Sequence, residues 1–318
     1  MAFDKETIYD QSLLDKVYGL VLAGGGGKGA YQAGVFKALW EYGLFDRILG
    51  IAGSSVGALN MCLFSQEDTE LSEEIWKQIR PDQFIRPDVK YLDFKEGIFG
   101  REGLLELMDR YIDYDRVSES DMSLYATVSR YDERGTGIPA AEYFRLNGMN
   151  KKMIQDILLA SSALPAIYAP VKIGKFLYRD GGITDNLPIE PLYRKGIRNF
   201  IVIPLSPATK ISYDEYPDAE FLVIKPGRSL GDDLTGTLDF TSYGAKIRMK
   251  LGYEDAVRTL TYLHSPESGQ PGFEEQLTAL ADEDFRKIIL EHGAKQVEKM
   301  INNDWKKLKN YLETVTGA

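Results

Sequence analysis

Short, wholly apolar runs alternate with stretches of helical spacing along most of this chain, the pattern of buried strands separated by helices. Val17-Tyr18-Gly19-Leu20-Val21-Leu22-Ala23 predicts a first buried strand. After a run of glycines, Tyr31, Val35, Leu39 and Tyr42 share one helical face, and Gly43 ends that helix. Residues 48–52 predict a second strand, and residues 58–64 the opening of a buried helix. Strand, helix, strand with apolar strands implies parallel pairing in a sheet covered on both faces.

The segment 65–100 reads first as connection and second as a cover over an active site, with a helix at 72–79 followed by Pro81 and Pro87 in an aromatic-rich loop. Residues 104–112 predict a helix. Residues 123–131 and 141–146 predict strands around the turn-rich Asp132-Glu133-Arg134-Gly135-Thr136-Gly137. An apolar helix at 153–163 is closed by Pro165. A hairpin is expected from 168–173 and 176–178, then a short helix after Asp185-Asn186-Leu187-Pro188 and strands at 199–205 and 221–224. Beyond Pro226 the pattern is helical. Near the end, Phe285, Ile288, Val297, Ile301, Trp305, Leu308 and Leu312 fall mostly three or four apart, with Lys295, Lys299, Lys306, Lys307 and Lys309 interspersed. Such a face normally packs on its own domain; the Trp and lysines also suit transient contact with a membrane surface.

At 318 residues, the chain is long enough to bury roughly three quarters of its unfolded surface without staples. The net charge of −10 argues against a nucleic-acid partner, which would want a basic stripe. Cys62 is the single cysteine, so no internal disulfide forms, and its apolar helical setting predicts a small core residue. The leader Met1-Ala2-Phe3-Asp4-Lys5-Glu6 has no basic or apolar targeting region, and no apolar run has the length of a membrane span. These features predict a cytoplasmic protein that touches a membrane at most peripherally. Oligomeric state is not legible.

Candidate chemistry centres on Gly53-Ser54-Ser55-Val56-Gly57, a Gly-x-Ser-x-Gly pattern between predicted strand and predicted helix, the context of a nucleophile elbow. The bland alternative is a Gly/Ser turn. Gly24, Gly26 and Gly29 match a Gly-x-Gly-x-x-Gly dinucleotide loop, but the second strand runs into the elbow and not into a ribose-binding carboxylate. A phosphate-loop reading fails too, because Leu22 stands at its first glycine and Gly29 at its Ser or Thr. The backbone amides of Gly25, Gly26 and Gly27 converging on a developing negative charge fit better. Asp180-Gly181-Gly182 is either a plain turn or a carboxylate at a strand end facing the elbow. The two histidines, His264 and His292, sit in the carboxyl-terminal helical part as surface or helix-end residues, leaving an aspartate as the alternative base.

Together these blocks resemble the patatin-like phospholipase family from about Val17 to Leu260. Gly24 to Gly29 match its glycine-rich loop, Gly53 to Gly57 its elbow, and Asp180-Gly181-Gly182 its Asp-Gly-Gly motif. Ala160-Ser161-Ser162-Ala163-Leu164-Pro165, Asp185-Asn186-Leu187-Pro188 and Leu251-Gly252-Tyr253-Glu254-Asp255-Ala256 are similar to its pattern as well. Lys28 departs from the usual arginine, keeping the charge but not the planar fork. The resemblance implies a three-layer α/β/α fold with a mostly parallel central sheet: a hydrolase domain over residues 1–263, and a helical extension, 264–318, packed on it. It further implies a Ser55–Asp180 dyad, an oxyanion hole from Gly25, Gly26 and Gly27, and supporting roles for Lys28, Gly53, Gly57, Gly181 and Gly182. Lipid acyl esters would be the substrates, with no metal or organic cofactor needed. A lipid-binding or storage protein of the same fold is the alternative.

Overall fold

This computed structural model describes residues 11–81, 86–87, 99–135, 137–165, 167–232 and 236–262, with short stretches at 279, 281–283 and 285–288. The strands β1 (Tyr18–Leu22), β2 (Ile48–Ser54), β3 (Ser123–Tyr131), β4 (Ala140–Arg145), β5 (Val171–Ile173), β6 (Phe176–Asp180), β7 (Asn199–Ile203) and β8 (Glu220–Val223) form one sheet in the order β8-β7-β1-β2-β3-β6-β5, with β4 also paired to β3. Pairings among β8, β7, β1, β2 and β3 are parallel; those of β4, β5 and β6 are antiparallel. The sheet is mixed and mostly parallel, as the buried strand runs predict.

Alternation along each strand sorts side chains into two cores. Leu20, Leu22, Ile51, Ile201 and Ile203 face the larger one. That side is covered by α1 (Ala30–Glu41), α2 (Val56–Phe64), α3 (Thr69–Gln78), α4 (Glu102–Tyr111), α6 (Lys151–Ser161) and the long α8 (Ser242–Tyr262). Val21, Ala52, Phe200 and Val202 face the smaller core, which the five-residue α7 (Glu190–Arg194) and the ring of Tyr216 cover. The three layers are therefore unequal. Helix α1 crosses α8 so closely that a β-carbon on Gly34 would lie 1.8 Å from the Met249 carbonyl oxygen. The Tyr31 hydroxyl donates to Asp255 at 3.0 Å across the same contact.

Predicted and observed elements differ mainly at their ends. The strand expected from residue 168 begins only at Val171, because Pro170 has no N–H to give the ladder. The apolar helix starts earlier than its first apolar residue, at Lys151, since Asn150 caps it by accepting from the Met153 amide at 3.0 Å. A short helix, α5 (Tyr114–Glu119), was not evident from periodicity; Asp113 caps it, accepting from the amides of Asp115 and Arg116. The segment after Ser65 is more than connection, because Ile75 and Trp76 on α3 are buried in the main core. Cys62 is fully buried there, and burial pushes its thiol up from the ordinary value. The boundary expected at 263, both histidines, and the basic helical face beyond Ile288 lie outside the described residues. No helix among the described residues is long and apolar enough to cross a membrane.

Candidate active site

Two strand ends create the site. The final rung of β2 sets Ser54 opposite Thr127 of β3, and the next residue of β3, Val128, lies opposite Asp180 of β6. Because β4 occupies the other edge of β3 along residues 125–130, β2 and β6 share one edge and run head to head along it. Their carboxyl ends therefore meet. Ser55, one residue past β2, donates from Oγ to Asp180 Oδ2 at 2.6 Å.

Ser55 holds φ 54° and ψ −124°, in the left-handed half of the map that L-residues avoid. The sharp turn lifts its side chain above the sheet while α2 begins at Val56. Close packing enforces the flanking glycines. A β-carbon on Gly57 would sit 2.2 Å from the Leu22 carbonyl oxygen, and one on Gly53 would sit 2.3 Å from the Gly57 carbonyl oxygen. Both neighbours are backbone and cannot swing aside. The Ser55 amide donates to Ser161 Oγ at 2.9 Å, tying the elbow to the end of α6.

Asp180 is held at every polar atom. Its amide donates to Ala163 O at 3.0 Å, and its carbonyl accepts from Ser129 Oγ at 2.7 Å. Its Oδ1 accepts from the Gly182 amide at 2.9 Å. Gly181 lies between the strands, where a β-carbon would meet Thr127 O at 2.3 Å. Burial pushes the Asp180 carboxyl up to about 6, while the bonds from Ser55 and Gly182 hold it back. An unperturbed aspartate, near ~4, would be a poor acceptor for a serine proton; burial moves this one toward neutrality.

The glycine loop borders this pair. Gly24 donates to Asn186 Oδ1 at 2.9 Å, and a β-carbon on it would touch Ser55 Cβ at 2.8 Å. Gly26 to Gly29 form a 3-10 turn capped by Gly25, with Lys28 N bonded to Gly25 O at 3.2 Å. The opening amides of such a turn have no acceptor inside it. Gly26 and Gly27 press on the backbone of Thr237 and Asp239, where β-carbons would lie 2.1 and 2.0 Å from carbonyl oxygens. The Lys28 stem lies against Gly236.

Some contributors had little or no signal in the sequence. Arg248 and Asp239 form a buried pair behind the loop, and neither belongs to a short motif. Ser162 Oγ is buried with no hydrogen-bond partner among the described residues and lines the pocket above Ser55 with Leu59, Leu104, Tyr168 and Phe240. Only the block 160–165, read as a family pattern, pointed toward that region.

A family model described as patatin-like phospholipase matches residues 20–193. Among curated relatives, "Lysophospholipase NTE1" of Cryptococcus neoformans var. neoformans serotype D is 29% identical over 217 residues, covering 63% of this chain and 12% of that protein. "Uncharacterized protein YjjU" of Escherichia coli is 28% identical over 200 residues, covering 59% of this chain and 52% of that one. The crystal structure of VipD from Legionella pneumophila aligns with a TM-score of 0.48 at 16% identity, over 94% of this chain and 79% of that one. The chain thus spans only 12% of the length of the lysophospholipase relative named here.

Proposed function

The chain belongs to the patatin-like phospholipase family, and on that premise we propose that it is a serine lipid acyl hydrolase working through Ser55 and Asp180. The observation that carries the reading is the 2.6 Å bond from Ser55 Oγ to a buried carboxylate with a raised pKa. Ser55 Oγ attacks the ester carbonyl carbon as its proton passes to Asp180 Oδ2. The carbonyl oxygen becomes an oxyanion held by amides of Gly25, Gly26 and Gly27. The Ser55 amide is itself committed to Ser161 Oγ, and the opening amides of the glycine turn have no acceptor inside that turn. Collapse breaks the ester C–O bond, and Asp180 returns the proton to the departing alcohol. Water then repeats the sequence on the acyl-enzyme, losing its proton to Asp180 and releasing the free acid.

Lys28 packs against Gly236 at the start of the turn and would help hold the loop in place; Gly181 and Gly182 would set the carboxylate. These steps use no metal or organic cofactor. The apolar pocket above Ser55 favours lipid acyl esters over polar ones. A fluorophosphonate probe tests the reading: wild type should be labelled, and Ser55→Ala should not. No labelling of folded wild type would favour a lipid-binding protein of this fold. The lysine-rich sequence from Lys295 to Lys309, amphipathic at helical spacing, is a proposed membrane contact. Flotation with anionic vesicles should weaken when those five lysines are changed to glutamine, and unchanged flotation would remove that element.

A further inference from the structure

The Asn186 carboxamide joins the two turns that make the site. Its Oδ1 accepts from the Gly24 amide at 2.9 Å, and its Nδ2 donates to the Gly24 carbonyl at 3.4 Å, across 162 residues of chain. On its other side, a β-carbon on Gly182 would lie 2.8 Å from Asn186 Oδ1 and 3.1 Å from Asp180 Oδ1. The same carboxamide therefore touches the glycine loop and the turn that sets the base. Its own backbone is anchored next door. The Asp185 amide donates to Gly181 O at 3.0 Å, and the Asp185 carboxylate accepts from Leu187 N at 3.1 Å and from the Tyr143 hydroxyl on β4 at 2.7 Å.

Gly24 needs such a hold. A β-carbon there would lie 2.7 Å from Asn186 Oδ1 and 2.8 Å from Ser55 Cβ, so the position takes no side chain. A bare residue is also the one most free to turn about its backbone. Asn186 bonds both peptide planes that flank Gly24. The second plane carries the Gly24 carbonyl at one end and the Gly25 N–H at the other, and in a trans peptide these point in opposite directions. Drawing the carbonyl toward Asn186 thus turns the Gly25 N–H away from it. Asn186 is itself exposed and does not line the pocket above Ser55, so its bonds add little to the core. What they fix is direction.

We propose that Asn186 is a positioning residue for the oxyanion loop: by bracketing Gly24 it aims the Gly25 N–H at the ester oxygen and keeps the loop in register with the turn that holds Asp180. This rests on the hydrolase reading above and adds a residue that acts through the loop. Removing one donor from an oxyanion site lowers kcat by about 10²–10³. Because that bond strengthens only as charge develops, the loss falls on kcat and spares KM.

The test is steady-state kinetics of p-nitrophenyl butanoate on wild type, Asn186→Ala and Asn186→Asp, each as the full chain. Asn186→Ala frees Gly24 and should lower kcat about a hundredfold with KM nearly unchanged. Asn186→Asp is isosteric and keeps an acceptor for the Gly24 N–H, so a role confined to holding the turn would leave it more active than the alanine variant. Its carboxylate would repel the Gly24 carbonyl and draw the Gly25 N–H to itself, so kcat should fall about tenfold below that of Asn186→Ala. A folded Asn186→Ala that keeps kcat within about threefold, loses rate through KM alone, or is less active than Asn186→Asp would overturn the positioning role and leave the dyad standing. A folded wild type that turns over no ester and takes no fluorophosphonate would instead overturn the dyad, and this role with it.

Discussion

Arg248 and Asp239 form an ion pair at 2.6 Å, with both side chains about nine-tenths buried, directly behind the glycine loop. The same guanidinium donates to the Asp239 carbonyl at 3.0 Å and reaches Gly27 O at 3.4 Å. One planar fork therefore ties α8 to the turn that presents the loop amides. Oxyanion donors act through fixed aim more than through strength. Lysine would keep the charge and lose the second and third bonds. We expect Arg248→Lys to lower kcat for a short ester about tenfold with KM little changed. Arg248→Met, which strands the buried Asp239 carboxylate, should cost about 3–5 kcal/mol of stability. Steady-state kinetics and denaturant unfolding check the two parts.

The pH dependence of turnover should report Asp180 directly. The base must be ionised, and burial places its titration at about 6. For a short neutral ester, kcat/KM should be flat above pH 7 and fall about tenfold per unit well below 6. A profile still level at pH 5 would mean that another group takes the proton.

Stability should move the opposite way. In the unfolded chain an aspartate titrates near ~4. Below that value both states hold the proton and Asp180 makes no difference; above about 6 both are ionised, and the folded state carries the cost of the buried charge. In Asp180→Asn, the amide oxygen can still accept from Gly182 and the amide nitrogen can donate to Ser55, but no proton can be taken. Ester turnover should be lost. The variant should match wild-type stability at pH 4 and exceed it on the order of 2–3 kcal/mol at pH 7. Parallel unfolding curves at the two pH values decide this.

Backbone strain at Ser55 gives a separate prediction. Alanine keeps the β-carbon that disfavours φ 54°, ψ −124°, whereas glycine adopts such angles freely. Both variants should be inactive, and Ser55→Gly should be more stable than Ser55→Ala by about 1 kcal/mol. Equal melting temperatures would mean that the elbow is not strained.

Much of the scaffold was legible along the chain. The apolar runs marked β1, β2 and β7 because fully buried parallel strands leave no polar alternation to obscure them. Strand β3 was delimited at both ends, and Gly43, with φ 69°, did end α1. The elbow was readable because its requirement is local, two bare positions around one serine. Helix α5, the late start of β5, and the core role of Ile75 and Trp76 were less visible, since capping and tertiary burial set them.

What the sequence determined by itself was the set of parts: buried strands, a glycine turn ahead of a helix, and a serine held between two positions with no room for a side chain. It offered 48 acidic residues and no means of weighing Asp180 beyond a family pattern. Tertiary structure decided which carboxylate meets Ser55, by aligning an antiparallel β6 end-on to a parallel β2 along β3. It also decided that burial would lift that carboxyl to about 6, and that Arg248 and Phe240 would come to the site from far along the chain. Short-range sterics and periodicity are written into neighbouring residues. Ladder register and the removal of water from a charge depend on partners many dozens of positions away, so they exist only once the chain has folded.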